Sequence, residues 1–243
     1  MKFRSLRGHS PAVDFPTAVL QGLAPDGGLY VPEHMPRISG NFLESDPAAL
    51  TFADAGTAVL GPFLEEIPTA DLHAILASAW TWPVPLRRLN ERLFLLEEFH
   101  GPTLAFKDVG ARFMASVLSY FGKRDHRRLT ILVATSGDTG SAVAHGFHGA
   151  DGIDVFVLYP SGKVSPLQEA QMTTLGGNVH AVEVSGTFDD CQALVKQALA
   201  DRDLAERRAL TTANSINLGR LLPQIAFYAW AWVQWRSKSK VRD

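Results

Sequence analysis

The sequence holds a single cysteine, Cys191, in 243 residues. One thiol excludes an internal disulfide and a cysteine-built zinc centre, and lends no support to an oxidising compartment. Charge of one sign is missing too: 23 Lys and Arg stand against 25 Asp and Glu, so a polyanion-binding surface is not expected and nucleic acid is not an expected partner. Residues 1–17 contain no apolar run of signal-peptide type, because Lys2, Arg4, Arg7, Pro11, Asp14 and Pro16 interrupt them. The most apolar stretch, Leu221–Trp235, is broken by Pro223, Gln224 and Gln234. It falls short of the roughly 18 to 20 residues of a membrane span, and reads as a buried helix of a cytoplasmic protein with no membrane partner. What is present, 46% hydrophobic and 20% charged residues, suits a globular chain with a large core.

The first third of the chain is turn-rich and then helical. Pro25-Asp26-Gly27-Gly28 is a turn, since glycine accepts positive φ and Asp caps its own turn. Leu29–Val31 reads as a short strand stopped by Pro32, and Thr51–Leu64 and Thr69–Trp80 carry apolar residues at helical spacing. The pair Pro83 and Pro85 suggests a division into an amino-terminal module, residues 1–83, and a second region, residues 84–235, followed by a basic polar tail, residues 236–243. From Leu129 strands and helices alternate. Leu129–Ala134, Ile153–Tyr159, Val179–Val184 and Leu210–Ala213 are strand-like; Ser141–Phe147, Ser165–Leu175 and Asp189–Ala200 are helix-like, with Ser165-Pro166 a capping entry and Gly176-Gly177 an exit. Connections this short predict an α/β fold, an open parallel sheet with flanking helices, preceded by the α-rich module. Ligands of such sheets lie beyond the carboxyl ends of the strands, which directs attention to the segments starting at Thr135, Pro160 and Asn214.

Two segments there and upstream could carry chemistry. Ala134-Thr-Ser-Gly-Asp-Thr-Gly-Ser-Ala142 runs from a strand through two glycines and hydroxyl side chains into a helix, so free backbone amides could hold a carboxylate or phosphate. Equally, it is a tight strand-to-helix turn capped by Asp138 or Thr139. It matches neither the dinucleotide fingerprint nor the P-loop. Lys107 follows Leu104-Ala105-Phe106 and precedes Val109; apolar neighbours that desolvate the ammonium would turn its amine into a nucleophile for an aldehyde cofactor, whereas a solvated lysine opening a helix is the plain alternative. His145 and His148 lack further ligands at matching spacing, the Lys123–Arg128 run reads as an exposed turn, and Cys191 reads as a packing residue.

The segment His100–Met114, with Thr103-Leu-Ala-Phe-Lys107-Asp108 at its centre, closely resembles the cofactor-lysine segment of the threonine synthase family. Gly22–Pro32, the Ser136-Gly-Asp-Thr-Gly140 loop, Pro160–Gln168, and Asn214-Ser-Ile-Asn-Leu-Gly-Arg220 with Gln224 resemble that family's other signatures in order and spacing, over about Gly22 to Tyr228. The resemblance implies a pyridoxal 5'-phosphate enzyme of fold type II, like tryptophan synthase β, that converts O-phospho-L-homoserine and water to L-threonine and phosphate. Lys107 would then bear the cofactor and remove the substrate's α-proton. Ser136, Gly137, Asp138, Thr139 and Gly140 would face cofactor and substrate carboxylate, with Thr135 beside them. Lys163, Ser165, Asn214, Ser215, Asn217 and Arg220 are candidates for the substrate's phosphate. For Lys163 and Arg220 the alternative is a solvated charge, and for Asn214 and Asn217 a helix-capping pair.

A related phospho-lyase or dehydratase would need the same lysine and loop, and a third reading is a non-catalytic fragment serving as a binding module. Members of the family are longer, and the resemblance implies that the loop gripping the cofactor phosphate and the group facing the pyridine nitrogen follow the Asn-Ser-Ile-Asn segment. The subunit count is open. The chain by itself is therefore expected to bind pyridoxal phosphate weakly and to turn over little. Cofactor absorbance and phosphate release by the purified chain measure both.

Overall fold

The computed structural model describes residues 1–125 and 128–239. Strand β1 (Phe3–Ser5) pairs antiparallel with β2 (Tyr30–Pro32), and between them lies helix α1 (Phe15–Gln21). Pro32 belongs to the strand rather than ending it before; on a two-stranded edge its missing N–H is not needed. Asp14 caps α1 by accepting from the Thr17 amide, and Pro16 sits in the first turn, where no donor is required. The turn at Asp26 ties this unit together: its carboxylate accepts from Ser5 Oγ at 2.7 Å, the Gly28 amide at 2.9 Å and the His9 amide at 3.0 Å.

Next come α2 (Gly40–Glu44), α3 (Phe52–Leu60) and α4 (Thr69–Ala79). The helix expected over Thr51–Leu64 begins one residue later, because Thr51 is its cap in a reciprocal box with Asp54, and it tightens into a 3-10 turn at Gly61–Phe63, around Pro62. A hairpin of β3 (Leu86–Arg88) and β4 (Phe94–Leu96) then leads to α5 (Lys107–Asp125). Neither hairpin strand shows a sequence signal, being three residues long.

The alternating region runs β5 (Leu129–Ala134), α6 (Asp138–Phe147), β6 (Ile153–Pro160), α7 (Pro166–Thr173), β7 (Val179–Val184), α8 (Phe188–Ala200), α9 (Arg202–Arg207) and β8 (Ala209–Thr212), followed by α10 (Leu218–Leu221) and α11 (Ile225–Ser239). The four strands form one parallel sheet in the order β7-β6-β5-β8. The chain starts at β5, builds outward through β6 and β7, then returns to β5's other side. The switch point of this open sheet therefore lies at β5 and β8, and a ligand crevice is expected beyond their carboxyl ends.

One hydrophobic core joins these layers. Phe113, Met114 and Val117 of α5 are fully buried together with Phe3 and Phe15 of the first unit and Ile131 and Val133 of β5. Phe52 of α3 stacks on Trp80, centroids 4.5 Å apart, and packs on Phe227 of α11. The apolar stretch expected as a single helix breaks at Pro223 into α10, a 3-10 turn and α11. Nor is α11 covered on every face: Ala226, Phe227 and Val233 are buried, while Tyr228 is 79% exposed. The tail expected from Arg236 is, as far as Ser239, a continuation of α11; Arg236 lies on the Trp232 ring and donates to the Leu43 carbonyl, and Lys238 donates to the Leu86 carbonyl. Of the exposed turn expected over Lys123–Arg128, Lys123–Asp125 instead close helix α5, while residues 126, 127 and 240–243 lie outside the described residues. Among the described residues no helix is long and apolar enough to cross a membrane.

Asp26 supplies a pH test of the first unit. Desolvation pushes its carboxyl up, but hydrogen bonds from Ser5, Gly28, His9 and Ser10 outweigh this and hold it at about 2, below the ordinary 3.8. A depressed carboxylate stabilises the fold above its unfolded pKa, and the contribution is lost as pH falls from about 4 through about 2. Asp26→Asn should flatten the fall in unfolding midpoint over that range, as read by denaturant titration at stepped pH.

Candidate active site

Lys107 is the first residue of α5, and the turn that delivers it is held from the next position. The buried Asp108 carboxylate accepts from the Thr103 amide at 2.9 Å and from Thr103 Oγ1 at 2.6 Å. The chain between folds tightly, with Leu104 at φ 60°, a left-handed conformation uncommon for a side chain of this kind. Of the apolar residues expected to bury the lysine, Val109 is buried in the core, while Leu104 and Phe106 are exposed. Lys107 Nζ lies 4.9 Å from the Phe106 ring centre and pairs with Asp138 Oδ2 at 3.2 Å. An ion pair, rather than an apolar pocket, is what surrounds the amine.

Asp138 stands in the loop after β5. Neither Asp138 nor Thr139 caps α6: the cap position is Gly137, which has no side chain, and both residues lie inside the first turn. Thr135, buried beneath the loop, takes over the work of a cap. Its Oγ1 accepts from the Gly137 amide at 3.0 Å and the Gly140 amide at 2.8 Å and donates to the Gly137 carbonyl. The amides of Asp138 and Thr139 have no carbonyl one turn back and remain free for an anion at the positive end of the helix, an arrangement that favours negative charge by roughly 0.3 to 2 kcal/mol. Glycine is required at both loop positions. A Cβ on Gly137 would lie 2.6 Å from Gln168 Oε1, and one on Gly140 2.3 Å from Thr135 Cγ2.

Lys107, Thr135, Ser136, Gly137, Asp138 and Thr139 line one cavity of about 220 Å³, joined by Gln168 and Phe188 from the starts of α7 and α8. Of the other expected residues, Ser165 reaches this cavity through Gln168, its Oγ donating to Gln168 Oε1 at 3.0 Å. Lys163 is exposed on the loop after β6, where its charge adds a lesser pull to the Thr187 hydrogen bonds that lower the Asp190 carboxyl. Asn214 accepts from the Ile216 amide and Ser215 Oγ in a local turn after β8. Asn217 and Arg220 are buried and do not open to solvent. Asn217 caps α10, its Oδ1 accepting from the Gly219 amide and its Nδ2 donating to the carbonyls of Val19 and Thr212, so the capping alternative holds. Arg220 lies under α5, donating to the Ala213 carbonyl at 2.8 Å; burial pushes its guanidinium down to about 10, against the opposing effect of Asp108. Sequence reasoning missed Gln168, although Ser165-x-x-Gln168 is a capping-box pattern. Burial lowers His145, and among the described residues no three His, Cys, Asp or Glu gather as a metal site.

The "Pyridoxal-phosphate dependent enzyme" family model matches residues 78–226, which include the lysine, the loop and the whole sheet. This chain belongs to that family. Residues 2–80 match the model "Threonine synthase N terminus". This member of the pyridoxal-phosphate family is 45% identical over 229 residues to the threonine synthase of Haemophilus influenzae, and 45% identical over 229 residues to that of Escherichia coli; each alignment takes in 94% of this chain and 53% of the relative. Its structure is similar to that of threonine synthase from Escherichia coli, with a TM-score of 0.86 over 96% of this chain and 54% of the other. The pyridoxal-phosphate-bound threonine synthase of Brucella melitensis gives 0.89 at 41% identity, over 97% of this chain and 52% of the other. The chain thus spans about half the length of the relatives it matches. A diaminopropionate ammonia lyase of Escherichia coli, 16% identical with a TM-score of 0.55, shares the fold.

The residues present suit the aldehyde end of pyridoxal phosphate: a primary amine lies in a small cavity walled by hydroxyls, the loop backbone and Gly137, where a Cβ would press on Gln168. Because Asp108 fixes the lysine turn, Asp108→Ala should destabilise the fold by about 2–4 kcal/mol, leaving the Thr103 amide and hydroxyl without their acceptor. Urea unfolding measures the loss, and Asp108→Asn should lose less.

Proposed function

We propose that this protein is the lysine-bearing part of a cytoplasmic threonine synthase, acting on O-phospho-L-homoserine and water to give L-threonine and phosphate. The observation that carries the reading is that the Lys107 amine and Ser136–Thr139 of the loop share one cavity beyond the carboxyl end of β5, closed on its far side by Gln168 of α7 and Phe188 of α8. The division into an amino-terminal module, residues 1–83, and a catalytic region from residue 84 is part of the proposal. Pyridoxal phosphate, when bound, supplies an aldehyde to the lysine amine and a ring that accepts the electrons left behind when a proton leaves the substrate's α-carbon.

The chain's own residues divide the remaining tasks. Lys107, as the cofactor-bearing residue, would hold the group through Nζ and, once released from it, take the proton from the substrate's α-carbon. The free first-turn amides of Asp138 and Thr139, with Ser136 Oγ, would receive the substrate carboxylate. Gly137 and Gly140 let the backbone come close, and Thr135 keeps their amides in place. Lys163 and Ser165 after β6, with Asn214 and Ser215 after β8, are the accessible groups for the substrate's phosphate; Asn217 and Arg220 would hold the β8 loop rather than touch substrate.

Incubation with pyridoxal phosphate, borohydride reduction and peptide mapping should place the label on Lys107, and Lys107→Ala should abolish it. A label elsewhere, or none, would remove the assignment. In the active protein, faster phosphate release from O-phospho-L-homoserine than from O-phospho-L-threonine separates threonine synthase from a related phospho-lyase.

A further inference from the structure

Gln168 holds a position that its place in a capping box does not explain. In such a box the side chain three residues after the cap reaches back to the cap's own amide. The Ser165 half is present, with Oγ accepting from the Gln168 amide at 3.3 Å, but the Gln168 side chain goes elsewhere. Its Oε1 accepts from Ser165 Oγ at 3.0 Å, so the amide turns its Nε2 outward, and Nε2 donates to Asp138 Oδ1. The other oxygen of that carboxylate, Oδ2, takes Lys107 Nζ at 3.2 Å. A hydrogen-bonded chain therefore runs from Ser165 through Gln168 and Asp138 to Lys107. It spans the loops after β5 and β6 and the start of α5.

The surrounding contacts keep Gln168 in place. Its side chain lies directly over Gly137, and its backbone carbonyl accepts from Ser141 Oγ of α6 at 3.4 Å. Asp138 by contrast is half exposed, with 50% of its side-chain surface in solvent, and without a second contact its carboxylate would be free to rotate into water. The other group seen against the ammonium is the uncharged Phe106 ring.

We propose that Gln168 is a positioning residue of the Lys107 site: it fixes the Asp138 carboxylate against the amine, and the ion pair keeps Lys107 Nζ on the loop until an aldehyde takes it. An ammonium has no electron pair to offer, so capture of an aldehyde requires Lys107 to leave Asp138 and lose a proton to solvent. The inference deepens the reading of Lys107 as the cofactor-bearing residue and rests on it.

The test uses the whole chain without cofactor and formaldehyde with cyanoborohydride as the probe, at one fixed near-neutral pH, with methylation of Lys107 followed by peptide mapping. Asp138→Asn should raise the labelling rate of Lys107 by about two- to fivefold, the range a part-exposed ion pair supports. Gln168→Leu should produce most of that rise, and the double variant should label no faster than Asp138→Asn alone, because both changes remove one interaction. Gln168→Met, which keeps the length of the side chain, serves if the leucine variant does not fold. An unchanged rate in the Gln168 variants, or in Asp138→Asn, would overturn the proposal. So would a rise from Gln168 substitution that persists in the Asp138→Asn background, since loosened packing alone would do that. Pyridoxal phosphate is absent from this experiment, so its outcome is separate from that of borohydride trapping.

Discussion

The carboxylate of Asp108, buried at the start of α5, accepts both the amide and the hydroxyl of Thr103, and this contact decides where the residue before it can point. With the turn closed, Lys107 is directed toward the end of β5, while α5 continues into the core as the layer between the amino-terminal unit and the sheet. Arg220 beneath the same helix senses the same charge. A buried carboxylate with two hydrogen bonds is a stable arrangement only if both partners stay, so the lysine turn is held to one geometry.

The loop after β5 works by a similar division of labour. Thr135 lies below and engages the amides that shape the loop, leaving those of the first α6 turn for a ligand. Asp138 lies above and faces the amine. The side of the loop that binds nothing but itself is buried, and the side that can meet an anion or an amine is open.

Much of the α/β region was legible from residue pattern, because β5 and β6 are apolar runs of strand length and α7 begins with the recognisable Ser165-Pro166 cap, although α6 opens on Gly137 with no side-chain cap. The amino-terminal part was legible only where its period is long: α3 and α4 lie close to the helices expected there, whereas β1 is three residues long and pairs through Phe3 against Pro32, far apart in the chain. Beyond it β3 and β4, also three residues each, are too short to show a period. At the site, Lys107 and the Ser136–Gly140 loop stood out as motifs. Gln168 did not, because its partner Asp138 is 30 residues away; nothing local shows that Thr135 and Asn217 use their polar atoms on nearby backbone, or that Arg220 is buried with Nη1 on the Ala213 carbonyl and Nε without a partner among the described residues.

The sequence by itself determined the alternation of strand and helix, the glycines of the loop and the lysine that follows the Thr103 turn, since each depends on neighbours within a few positions. Tertiary structure alone decided the strand order β7-β6-β5-β8, the cavity that α7 and α8 close beyond β5, the exposure of Leu104 and Phe106, and the pairing of Lys107 with Asp138. Those outcomes depend on which surfaces meet across the fold, and burial and ion pairing are properties of that meeting rather than of any single segment.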